Sequence, residues 1–137
     1  MSELNLTWEK CKNNGDDEYH WCNLVNLTKG DNLNYNGVYI IWYPKGPIFK
    51  VGSGNIKDRL TKHANLNEDF MTKFNKYNKD NNTGYDYKSL LVAFAKVNGN
   101  QMEGVEKYLG NNLKIVKETS ERFPDVKEIK VNLPDLQ

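Results

Sequence analysis

Gly37-Val38-Tyr39-Ile40-Ile41-Trp42-Tyr43, broken by Pro44-Lys45-Gly46-Pro47 and resumed as Ile48-Phe49-Lys50-Val51-Gly52, is the stretch that decides the fold. Val38 to Tyr43 is rich in β-branched and aromatic residues, the mark of a buried strand. Two prolines and a glycine break any ladder, so the chain must turn there, and Ile48 to Val51 returns as the second strand of a hairpin. Gly52-Ser53-Gly54-Asn55 reads as a glycine turn, with Ser53 or Asn55 placed to cap a helix over 56–64 whose apolar side carries Ile56 and Leu60. On that helix Arg59 and His63 stand four residues apart, and i and i+4 share a face. The chain has 19 Lys and Arg, yet Arg59 and Arg122 are its only arginines and His20 and His63 its only histidines. A planar five-donor fork beside a titratable ring suits phosphate chemistry, and the plain alternative is a solvated helix face.

Working outward, a second helix is expected over 68–77 and a polar loop over 78–84. An apolar strand follows from Leu90 to Val97. Met102, Val105, Leu109 and Leu113 keep helical spacing and predict a third helix over 101–116. A short strand over 129–132 precedes Leu133-Pro134. Upstream, residues 1–36 read as an N-terminal extension. Its two strand-like pieces, Leu4 to Cys11 and Tyr19 to Val25, are separated by the turn signal Asn13-Asn14-Gly15-Asp16-Asp17, as in a β-hairpin. Residues 37–137 then form the core of an α+β fold.

At 137 residues the chain is one domain able to bury a core without staples. It has no apolar run near the roughly 20 residues a membrane span needs. Its N-terminus lacks the basic and apolar regions of a signal peptide, so a cytoplasmic location is expected. The net charge of +1 and a pI near 7.7 argue against a pervasively basic surface. Any nucleic-acid contact must therefore come from a local patch. Lys57, Lys62, Lys73, Lys76 and Lys79 would build one along two successive helices, unless they are merely scattered surface lysines. Cys11 and Cys22, the only cysteines, are expected as free thiols in that compartment. Together with His20 they supply three of the four ligands of a structural zinc site, no fourth stands out, and zinc is not expected. Trp8 and Trp21 beside them suggest a small apolar cluster instead.

Phosphodiester hydrolysis generally needs a metal, and Mg²⁺ is often held by only one or two carboxylates. Glu103 and Glu106 in the third helix are the candidates. Glu106, beside Val105 and Leu109, belongs at the edge of the buried stripe, although an exposed helical glutamate is ordinary.

Taken in order, Gly-Val-Tyr, Lys-Val-Gly, Arg-x-x-x-His and a downstream Glu-x-x-Leu resemble the GIY-YIG nuclease superfamily over about residues 37–113. The closing Val131-Asn132-Leu133-Pro134 is similar to small stand-alone bacterial members. The resemblance implies a small, mainly antiparallel three-stranded central sheet flanked by helices. It implies a metal-dependent endonuclease acting on DNA, with RNA left open, and Mg²⁺ or Mn²⁺ as cofactor. In that scheme Tyr39 activates the attacking water, Arg59 stabilises the scissile phosphate and His63 assists proton transfer or phosphate binding. Glu106 holds the metal, Lys57 and Lys62 contact nucleic acid, and Asn132 matches a C-terminal asparagine of some members. Lys50 stands where the second motif has tyrosine, as in some active members. Its ammonium would bind phosphate or lower the pKa of Tyr39, unless the site has decayed. Without an appended recognition module, specificity is low or comes from a protein partner, for which residues 1–36 are the expected surface. The alternatives are a non-catalytic nucleic-acid-binding module, or a protein-interaction module, on a degenerate version of the same fold.

Overall fold

Residues Gly37 to Trp42 are buried without a break, so their strand must be covered on both faces. In the computed structural model, which describes residues 2–9, 21–26, 33–64, 69–113, 119 and 128–133, that strand lies inside an α+β fold. The described elements are β1 (Ser2–Thr7), β2 (Cys22–Asn23), β3 (Asn36–Trp42), β4 (Ile48–Asn55), α1 (Ile56–Ala64), α2 (Asp69–Asn81), β5 (Leu91–Lys96), α3 (Met102–Leu113) and β6 (Glu128–Leu133). The main sheet has the order β2-β5-β3-β4, antiparallel throughout.

Alternation along β3 divides the interior in two. Tyr39 and Ile41 face a core with Phe49, Val92 and Phe94, covered by Ile56 and Leu60 of α1 and by Phe70 and Phe74 of α2. Val38, Ile40 and Trp42 face the other core, with Ala93, Ala95 and Val97, covered by Val105 and Leu109 of α3. Helices α1 and α2 therefore occupy one face of the sheet and α3 the opposite one. β4 is an edge strand, and both α1 and α3 pack against it.

Several expectations are corrected. The main sheet has four strands rather than three, because Cys22–Asn23 pairs with Val92 and Leu91. The two N-terminal pieces do not pair as a hairpin among the described residues. β1 instead runs antiparallel to β6, with Ser2 opposite Leu133 and Thr7 opposite Glu128. The reason is burial: Leu6 and Trp8 alternate with exposed Asn5 and Thr7, and their apolar side completes the α3-side core. Residues from within 1–36 thus reach both cores, since Cys22, Leu24 and Leu33 join the other one. Finally, Cys22 is not a free thiol but disulfide-bonded. That bond is unusual in a reducing cytoplasm, where disulfides are rare. Cys11 and His20 lie outside the described residues.

The predicted glycine turn at 52–55 is a strand. β4 continues to Asn55 and passes straight into α1, with Gly54 at φ +137, a conformation L side chains rarely adopt. Asn55 is the cap, its Oδ1 accepting from the Asp58 N–H at 3.1 Å. α2 runs past its expected end to Asn81, because its polar last turn is used for capping. The Asn78 side chain accepts from Thr83 Oγ1 at 2.7 Å and donates to the Tyr85 carbonyl at 2.9 Å. No described helix is long and apolar enough to cross a membrane.

Candidate active site

Tyr39 sits in the middle of β3, opposite Gly52 of β4. A side chain at Gly52 would overlap the Tyr39 ring, so the bare glycine is what lets the phenol lie across β4. Its hydroxyl then reaches Nε2 of His63 on α1, 2.8 Å away. The imidazole is clamped around that contact. Phe70 meets it edge-on at 5.0 Å, and the His63 carbonyl accepts from the Tyr87 hydroxyl. Tyr39 is 0% exposed and His63 7% exposed, so the pair is almost wholly shielded from solvent.

Three cations surround this pair. Between Ile41/Lys50 and Trp42/Ile48 the register shifts, a β-bulge that leaves Phe49 as the extra residue. Lys50 stays opposite Ile41, and directly opposed residues share a face, so Lys50 lies on the α1 side of the sheet. Arg59 lays its aliphatic arm over Gly54 and donates from Nε to the Ser53 carbonyl at 3.3 Å. Burial, and then the charges of Lys50, Arg59 and Lys62, push the His63 pKa down from 6.5 to about 4. His63 is consequently neutral at physiological pH. Among the described residues no carboxylate contributes to that shift, which makes the surroundings of the ring electropositive despite the chain's near-zero net charge.

Four of the expected residues, Tyr39, Lys50, Arg59 and His63, are thus brought to one place. Glu106 is not brought into contact with them. It is half-buried at the edge of the α3 stripe, on the opposite side of the sheet, and among the described residues it has no hydrogen bond or ion pair. What links it to the other four is β4, the edge strand that carries Lys50 and Gly52 and touches α3 as well as α1. Among the described residues no three His, Cys, Asp or Glu side chains gather around a common point. A cation here would rest on one unpaired carboxylate, a donor set that suits Mg²⁺ completed by water and phosphate.

Lys57 and Lys62 are exposed on α1, and only Lys62 is near enough to act on His63. The continuous patch expected over two helices is thinner than its lysine count. Lys73 donates to the Phe49 carbonyl at 3.1 Å and Lys76 pairs with Asp80. The backbone of Asn132 pairs with Glu3, away from β3, while its side chain lies outside the described residues. Sequence reasoning missed Phe70 and Tyr87, which fix His63. Their only local signal is aromatic character, shared with many core residues. It also missed the part played by Gly52, whose smallness matters only once Tyr39 is known to lie opposite.

The chain matches no protein-family model, no curated protein and no solved structure.

Proposed function

We propose that this chain is a metal-dependent endonuclease of the GIY-YIG type that hydrolyses phosphodiester bonds in DNA, with RNA open as a substrate. The observation that carries the reading is the Tyr39–His63 hydrogen bond at 2.8 Å ringed by Lys50, Arg59 and Lys62. The order strand, strand, helix, helix, strand, helix from β3 to α3 agrees with it.

Arg59 and Lys50 would hold the non-bridging oxygens of the scissile phosphate and offset the charge that grows there in the transition state. Tyrosine is a poor base at its usual pKa of about 10. The neutral imidazole meets that difficulty, since its Nε2 can accept the phenol proton as the phenol oxygen takes one from the attacking water. Because both side chains are covered, Tyr39 and His63 would act as one unit. A divalent cation held by Glu106 would supply Lewis-acid stabilisation of the leaving oxygen.

Supercoiled-plasmid nicking in Mg²⁺ or Mn²⁺ tests the reading. Wild type should nick, and Arg59→Ala and Glu106→Ala should nick far more slowly. A folded wild type that leaves plasmid, branched and single-stranded substrates intact would refute it. One observation favours a different reading, a non-catalytic nucleic-acid-binding module: Tyr39 is 0% exposed, and Lys50 stands in place of another phenol. Under that reading binding is indifferent to metal and to Glu106→Ala.

A further inference from the structure

Away from the Tyr39–His63 pair, a cavity of about 380 Å³ opens at the end of the sheet where β3 begins and β5 ends. That volume falls within the roughly 300–1,000 Å³ of small-molecule sites. Three carboxamides line it, Asn36, Asn98 and Gln101, together with the ring of Tyr35 and the ammonium of Lys96. The carboxamide side chains make no hydrogen bond among the described residues, so each offers a donor pair and an acceptor to the cavity. Lys96 lies over the Tyr35 ring, 4.9 Å from its centroid. The rim is held by backbone hydrogen bonds, Val97 N–H to Asn36 carbonyl at 3.1 Å and Gln101 N–H to Asn98 carbonyl at 2.9 Å.

We propose that this cavity is a nucleotide subsite that takes an unpaired base against Asn36, Asn98 and Gln101, with the attached phosphate on Lys96. Carboxamides match base edges because both carry a donor beside an acceptor, the geometry by which Asn and Gln read adenine. A catalytic surface for phosphate alone would use cations, and this cavity has one cation among three amides. A bare anion would leave the amide set without a purpose. The position also suits a strand crossing the sheet end. Lys96 is opposite Gly37 and Gly37 opposite Gly54, over which Arg59 lies. Two strand spacings, on the order of 10 Å, therefore separate the subsite from the arginine. The proposal stands on its own lining and does not need the nuclease reading.

The test is titration of the four deoxynucleoside 5′-monophosphates into the ¹⁵N-labelled full chain. The readouts are the backbone amides of Asn98, Gly99 and Gln101 and the side-chain amides of all three carboxamides. Saturable shifts confined to these signals are expected, and Asn98→Ala and Gln101→Ala should each weaken binding roughly five- to tenfold. Lys96→Ala should abolish the preference for deoxyadenosine monophosphate over deoxyadenosine. These side chains are exposed or half-exposed, and unchanged signals elsewhere will show that the variants fold. Absence of shifts overturns the proposal. So do equal shifts from deoxyribose 5-phosphate or inorganic phosphate, and so does unaltered binding by both amide variants. Nucleotide binding without plasmid nicking would strike the nuclease reading alone, and nicking without nucleotide binding would strike the subsite alone.

Discussion

Both faces of the sheet are buried under helices, yet they differ in what lies at the centre. On the α1 side the packing is aromatic, from Phe49, Phe70, Phe74, Tyr87 and Phe94, and it includes a buried phenol–imidazole pair ringed by cations. On the α3 side, small and aliphatic residues such as Ala93, Ala95, Val105 and Leu109 predominate, and the polar candidate is the single carboxylate of Glu106. The α1 face buries a neutral imidazole among cations, which structural packing alone does not require. The α3 face is an ordinary helix packed on a sheet. The nuclease reading therefore depends on whether the plain face contributes its carboxylate, around the β4 edge, to the chemistry of the other.

The largest expected effects bear on that question. Arg59→Ala and Glu106→Ala should each lower the nicking rate on the order of 10²–10³-fold, the usual cost of removing a group aimed at developing charge. Unfolding free energies from urea melts should stay within about 0.5 kcal/mol of wild type, because both side chains sit at the surface or the edge of packing. Arg59→Lys should recover only part of the rate, since an ammonium lacks the fork. A silent Glu106→Ala would separate the two faces altogether.

Next comes the pH dependence of stability. His63 titrates at about 4 in the folded chain, against about 6.5 when unfolded. The unfolded state takes the proton first, so stability is full above pH 6.5 and falls as the pH drops towards 4. The loss should approach about 3 kcal/mol. Denaturant melts across this window should show it, and His63→Gln should flatten the slope. The nicking rate should show no His63 inflection near pH 6.5.

Glycine substitutions give a sharper contrast. Gly52→Ala places a methyl group against the Tyr39 ring and should cost about 1–3 kcal/mol by overpacking, besides displacing the phenol from His63. Gly110→Ala in α3 meets nothing within 4 Å and should stabilise by about 0.5–1 kcal/mol. Tyr39→Phe lies between them in magnitude. Losing the 2.8 Å hydrogen bond should cost about 1 kcal/mol and stop nicking while leaving nucleic-acid binding intact. Thermal melts paired with the nicking assay separate the two effects.

The parts legible in the sequence are those fixed by neighbouring residues. The α1 helix, a cap at Ser53 or Asn55 and the β3–β4 hairpin follow from short-range pattern, as does the edge position of Glu106 on α3. What was not legible depends on distant partners. Nothing in Ser2–Thr7 names Glu128–Leu133 as its neighbour, and two residues at Cys22–Asn23 are too few to announce a fourth strand. Gly52-Ser53-Gly54 reads as a turn because glycines usually end strands. Here they stay in the strand because Tyr39 and Arg59 lie over two of them. Arg59 and His63 were visible as a pair by their spacing. That His63 would be covered, neutral and bonded to Tyr39 follows only from the packing of α1 on β3.

A double-variant cycle of Arg59→Lys and Glu106→Gln on the single-turnover nicking rate tests most directly whether the two faces serve one site. Residues that act as a unit are strongly non-additive. The double variant should therefore be little slower than the slower single variant. Effects that multiply, or a Glu106→Gln variant that nicks as fast as wild type, would contradict a site shared across the β4 edge.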